Sequence, residues 1–153
     1  MAKFISTKVF DGYSSCFRQW KAEGTHCKFL HSYNTYFKVW FEADYLNENN
    51  WVFDFGMRGN NKIAGKSPKE YFSWLLDHTT IVAESDPELD WFLEANKKGI
   101  LQLRILKEVG CEKFAEFIFN DLNTWVIKET DGRVRVIKVE FSEHSKNSAI
   151  YEE

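Results

Sequence analysis

No stretch of this chain approaches the roughly 20 consecutive apolar residues that span a bilayer, and the opening Met1-Ala2-Lys3-Phe4-Ile5-Ser6 lacks the apolar run of a signal peptide. A soluble, cytoplasmic protein with no membrane partner is therefore expected. Three cysteines, Cys16, Cys27 and Cys111, are odd in number and widely spaced, and no C-x-x-C pair occurs, which argues for reduced thiols over a disulfide framework. Charge of one sign is not concentrated anywhere: the net charge is −3 and no block of five like charges exists, so neither a polyanion-binding surface nor an acidic disordered tail is indicated. Nucleic acid is excluded as an expected partner. Internal repeats and low-complexity tracts are also missing.

What the chain does have is aromatic bulk. Of 153 residues, 44% are hydrophobic and 17% aromatic, ample for one packed core and a single domain over residues 1–153. Thr35 to Phe41 alternates Tyr36, Lys38 and Trp40 with Thr35, Phe37, Val39 and Phe41, the period-two pattern of a strand. Lys3 to Phe17 is rich in β-branched and aromatic residues and supplies an antiparallel neighbour, with Gly12 marking a bulge or bend.

Helical signals follow. Ser67-Pro68-Lys69-Glu70 combines a capping residue, a first-turn proline and the glutamate of a capping box, and Tyr71, Phe72, Leu75 and Leu76 then share one face. Asp86-Pro87-Glu88 opens a second, short helix that Lys97-Lys98-Gly99 closes. A third begins near Cys111, where Phe114, Ala115, Ile118, Leu122 and Val126 recur at helical spacing. Beyond the turn at Asp131-Gly132, Val134 to Phe141 and Ser148 to Tyr151 read as strands. Strand, strand, helices, strand, strand predicts an α+β domain: a four-stranded antiparallel sheet with helices packed on one face.

The segment Cys27-Lys28-Phe29-Leu30-His31-Ser32-Tyr33-Asn34 places a thiol four residues before an imidazole at the start of the aromatic-rich strand. It resembles the C-x-x-L-H-G-H-N segment of the 6-pyruvoyl-tetrahydropterin synthase and 6-carboxy-tetrahydropterin synthase family. Trp51-Val52-Phe53-Asp54-Phe55-Gly56, Leu76-Asp77-His78, Glu112 at a helix start and Glu143, eight residues before Tyr151, match further family segments in order. The resemblance runs from Tyr13 to Tyr151. It implies the tunnelling fold in ββααββ order, in which sheets of several subunits join edge to edge, hence a homo-oligomer of three or six copies. It also implies a small-molecule pterin substrate, dihydroneopterin triphosphate or a relative, and a lyase reaction in tetrahydrobiopterin or queuosine-type synthesis.

In that family an acid–base cysteine and an aspartate–histidine pair move protons, and those positions correspond to Cys27, Asp77 and His78. A free thiol titrates at roughly 8.5 and needs a neighbouring imidazole or cation to be poised as a base, for which His26, Lys28 or His78 is available. A carboxylate beside an imidazole fixes its tautomer and raises its basicity. The pterin-anchoring glutamate corresponds to Glu143; a carboxylate accepts paired hydrogen bonds from the N–H and amino edge of such a ring. Glu112 matches within Val109-Gly110-Cys111-Glu112-Lys113-Phe114-Ala115, where a pterin-holding threonine of the family is Gly110 here; Glu112 either faces the ring or only favours the positive helix end. Arg18, Lys28 and Arg58 are candidate donors for a triphosphate.

Family members hold zinc with one histidine in a Phe-x-Ala-Ala-His pattern and two in His-Gly-His. Tyr13-Ser14-Ser15-Cys16-Phe17 ends instead in Phe17, and His31-Ser32-Tyr33 keeps only the first imidazole. Catalytic zinc takes three protein ligands and an open position, so His31 alone is left as a metal ligand, with Phe17 and Tyr33 at the other two positions. Neither Cys16 nor His26 stands at a matched position. The readings that remain are a pterin-synthase-type lyase, a pterin- or purine-binding homologue that has lost zinc-dependent lyase chemistry, and a structural homologue with no small ligand.

Overall fold

The structure is a computed structural model that describes residues 2–153. β1 (Phe4–Phe17) and β2 (His31–Ala43) form a long antiparallel pair, joined through one 3-10 turn at His26–Lys28. α1 (Pro68–Leu76), β3 (Thr79–Ala83), α2 (Leu89–Lys97), β4 (Leu103–Leu106) and α3 (Cys111–Glu129) follow, and the hairpin of β5 (Val134–His144) and β6 (Asn147–Glu152) ends the fold. The sheet has six strands in the order β4-β3-β1-β2-β5-β6. Four are the expected antiparallel ones. The two additions, β3 and β4, run parallel to β1. They are five and four residues long, and every residue of β3 is buried, so they show no alternation that could separate them from loop or helix.

The helices form where local chemistry dictates. Ser67 accepts from the Glu70 amide while the Glu70 carboxylate accepts from the Ser67 amide, and Pro68 occupies the first turn. α3 buries Phe114, Ala115, Ile118, Phe119, Leu122, Trp125 and Val126 as one stripe against β5 and β6. Asp86 lies ahead of α2 rather than inside it: its carboxylate accepts from the Glu88 amide at 2.9 Å, bending the chain into the helix at Leu89. Phe10, Phe37 and Phe72 meet edge to face and stacked within 4.7–5.8 Å, and Phe114 and Phe141 continue that core toward the hairpin.

Three irregularities in the ladder shape what lies nearby. Between Phe10 and Tyr13 β1 carries one extra residue, and Gly12 takes φ +84° there. A second shift divides Trp40 from Phe41 on β2. The third lies between Ser142 and His144 of β5, where Ser142 pairs with Ser148 and His144 with Asn147, leaving Glu143 as the additional residue. The segment from Asp44 to Ser67 is a long connection held by side chains: Arg133 donates to the carbonyls of Tyr45 and Val52, and Trp125 to that of Asn61.

Candidate active site

The end of β1, the turn before β2, the start of α3 and the β5–β6 hairpin enclose a cavity of about 280 Å³. Cys27 stands exposed on its rim. Thr25 caps the turn by accepting from the Cys27 amide at 3.2 Å, and the Cys27 carbonyl accepts from the Gln19 amide at 2.8 Å, so the thiol's backbone is fixed to the end of β1.

Glu143 reaches the same cavity from the bulge in β5, a place where an unpaired residue turns its side chain away from the regular ladder direction. Its carboxylate accepts from the Asn147 amide at 3.2 Å and from the Cys111 thiol across a long 3.8 Å. Two oxygens offer about four lone-pair directions, so acceptor capacity remains for a ligand. Burial first, then the charges of Glu143 and Glu112, pushes the Cys111 thiol up to about 12, which keeps it a neutral donor.

Glu112 lies in the first turn of α3 at the edge of the cavity. Just before it, Gly110 has φ +123°, and a Cβ there would come within 2.3 Å of the Gln19 amide nitrogen. That amide donates to the Val109 carbonyl at 2.8 Å. Gln19 thus occupies the space beside residue 110 and lines the wall of the cavity.

Asp77 and His78 do not share this cavity. They face a second depression of about 420 Å³, with Tyr13, Ser14, Ser32 and Asn34 around it, and Tyr33 borders both. The pair sits where α1 ends against β1: the Ser14 amide donates to Asp77 Oδ1 at 3.0 Å, and the His78 amide to the Ser14 carbonyl at 2.7 Å. His78 adopts φ +58°, an uncommon conformation for a residue with a Cβ, secured by those bonds. Its Nδ1 lies 3.0 Å from Asp77 Oδ1 and its ring is 77% exposed, leaving Nε2 open to exchange a proton. The Ser14 amide above all, with His78 beside it, holds the Asp77 carboxyl below the usual carboxylate range.

The region expected to hold a metal is filled by rings. Phe17 and Tyr33 stack at 4.1 Å and 12°, Phe114 meets Phe17 edge-on at 5.0 Å, and the Tyr33 hydroxyl is 2.9 Å from His31 Nε2. A phenyl ring offers no donor. Burial, with the Glu143 charge and the surrounding thiols, drives Tyr33 ionisation far upward, so its oxygen stays protonated and a poor ligand. Among the described residues no group of three or more His, Cys, Asp or Glu side chains is gathered so that it could hold a metal ion. These residues do not fit zinc.

The three cations suggested for a triphosphate are each engaged. Arg18 grips the buried Asp86 through two bonds of 2.8 and 2.6 Å, Lys28 pairs with Glu23 at 3.2 Å, and Arg58 with Asp54 at 2.8 Å. Arg18 and Lys28 border a separate groove with Phe29, Trp91 and Phe92. The cavity-lining Gln19, Cys111 and Asn147 were not singled out from sequence. Gly110 was the signal for Gln19, because a helix start with no side chain leaves room that another group must fill.

This arrangement, a mixed sheet covered by helices with a carboxylate and a thiol around a cavity at one end, is the α+β architecture of the tunnelling fold. The profile described as 6-pyruvoyl tetrahydropterin synthase matches residues 6–153, and the chain belongs to that family. An uncharacterized protein from Wolinella succinogenes superposes with a TM-score of 0.81 at 19% identity, over 99% of each chain. The 6-pyruvoyl tetrahydropterin synthase of Plasmodium falciparum gives 0.65 at 16% identity over 100% of this chain and 99% of its own. That of Caenorhabditis elegans gives 0.61 at 17%, over 100% and 97%. No curated protein matches significantly by sequence.

Proposed function

We propose that this protein binds a pterin in the cavity between Cys27 and Glu143 and acts on it as a lyase, with dihydroneopterin triphosphate or a close analogue as substrate. The observation that carries the reading is Glu143: a half-buried carboxylate, aimed by a bulge into an aromatic-walled cavity, with acceptor positions left over. The N–H and amino edge of a pterin supplies two parallel donors for such a group, while Phe17 and Tyr33 provide a flat apolar wall. Glu112 and Gln19 stand at the rim for the remaining ring donors.

Cys27 would take a proton from a side-chain carbon of the ligand, the electron pair forming a double bond as the triphosphate leaves with its C–O pair. Asp77 and His78 would return or relay the proton through Nε2 of the imidazole. Because Tyr33 separates the two depressions, His78 serves either a side chain that reaches past Tyr33 or the cavity of a neighbouring copy in a trimer or hexamer. Cleavage of the side chain, as in 6-carboxy-tetrahydropterin synthase, uses the same groups.

The test pairs binding with turnover. Neopterin should quench tryptophan fluorescence, and Glu143→Gln should weaken that binding by about 10- to 100-fold, the worth of a charged hydrogen-bonded anchor. Cys27→Ala should retain binding and lose triphosphate release from dihydroneopterin triphosphate. Binding without turnover in the unaltered protein would leave the second reading, a pterin binder that has lost the reaction. The ring-filled metal position and the engaged Arg18, Lys28 and Arg58 are what favour it. Glu143→Gln with undiminished affinity would remove the assigned anchor.

A further inference from the structure

We propose that Tyr33, oriented by His31, is the group that polarises an oxygen on the ligand's side chain, so that this cavity operates on a phenol–imidazole pair rather than a metal ion. The inference rests on the pterin reading above and concerns what meets the ligand's side chain, not its ring.

Three features converge on Tyr33. It borders both depressions, so a ligand whose ring lies at Glu143 and whose side chain points toward Asp77 and His78 must pass it. Its ring is immobilised, stacked on Phe17, which Phe114 supports from behind. Its hydroxyl is held at 2.9 Å by His31 Nε2 on the exposed side of the stack. A phenol oxygen has one hydrogen and two lone pairs. In the tautomer that carries its proton on Nε2, His31 donates into one lone pair, the O–H is released to point at the ligand, and the imidazole strengthens it as a donor. A hydrogen bond from that O–H to a side-chain hydroxyl or carbonyl oxygen withdraws electron density from the neighbouring carbon and makes its C–H more acidic. No bond to Tyr33 forms or breaks, and its proton stays on the phenol. The fixed donor needs no rearrangement when charge develops on the oxygen, which is the condition under which such a contact aids a reaction. The buried environment that resists Tyr33 ionisation keeps it a donor throughout the neutral range.

Two ligands separate this role from the ring site: neopterin, which carries a hydroxylated side chain, and pterin, which has none. Tyr33→Phe, which preserves the stack, should weaken neopterin by about tenfold and leave pterin unchanged, whereas Glu143→Gln should weaken both. His31→Gln, at an exposed position, should give the same neopterin-selective loss through misdirection of the phenol. Metal analysis of purified protein should find no stoichiometric ion, and EDTA or added zinc should change neopterin affinity less than about twofold. Tyr33→Phe weakening both ligands alike or neither, or neopterin binding that EDTA abolishes and zinc restores, would overturn the proposal while leaving the pterin reading standing. Failure of the unaltered protein to bind either ligand would remove the pterin reading and this inference with it.

Discussion

Asp121 shows how a single half-buried side chain trades one contribution against another. It accepts from the Tyr71 hydroxyl at 2.8 Å between α1 and α3, yet burial outweighs that bond and raises its carboxyl above the usual range. A raised carboxyl is protonated more readily folded than unfolded, so its effect on stability is favourable in acid and becomes a cost as pH rises through the folded-state value. Asp121→Asn keeps an acceptor for Tyr71 and removes the charge. It should raise the melting temperature by roughly 3 °C, about 1 kcal/mol, near pH 7 and by nothing at about pH 3. Thermal unfolding at the two pH values decides it; an equal shift at both would mean that charge burial is not the cause. At the same scale, the candidate anchors were legible in unequal measure. Cys27, Glu112 and Glu143 share one cavity although 85 and 116 residues separate the first from the others, because β1–β2, α3 and the hairpin meet at one end of the sheet. Asp77 and His78 face elsewhere, since the turn that ends α1 is tied to Ser14 on the far side of Tyr33.

Among the elements, those with long amphipathic periods are visible in the chain and those without are not. β2, β5, α1 and α3 alternate or recur strongly enough to declare themselves, because each buries one face and wets the other. β3 is wrapped on both sides and β4 is four residues long, so neither carries a pattern, and only tertiary packing defines them. The long connection before α1 has no period at all; what fixes it is Glu129 at the end of α3. Its carboxylate accepts from the amides of Asn60 and Asn61 at 2.9 Å each and from the Asn61 side chain at 2.6 Å. A negative charge at a helix C-terminus is otherwise unfavourable, so these three bonds must outweigh it. Glu129→Ala should therefore cost about 2 kcal/mol and increase amide exchange and proteolysis between Asn50 and Ser67 while leaving the sheet protected. Unaltered protection of that connection would show that Arg133 and Trp125 suffice to hold it.

As a whole molecule, the domain leaves open hydrogen-bonding edges on its sheet. Only Ser15 to Phe17 of β1 pair with β3, so among the described residues Phe4 to Tyr13 has no strand on its second side, and β6 likewise ends the sheet. Phe4, Ile5 and Val9 near one edge and Ile150 on the other are 45–53% exposed. Such edges invite pairing between copies. We expect light scattering to find three or six copies, and Ile150→Pro, on the terminal strand, to shift the population toward monomer; a monomer at all concentrations would refute edge joining. No helix among the described residues is long and apolar enough to cross a membrane. These open edges could not be read from sequence because their alternation is that of any half-buried strand.

The extra residue at Glu143 carries one more consequence. Side chains along a ladder change sides with every step, so shortening this hairpin by one position would reverse the facing of everything that follows without altering any chemical group. In distant relatives, then, counting positions between the last core phenylalanine and the hairpin tip is a sharper guide to shared ligand chemistry than finding a glutamate in the matching column.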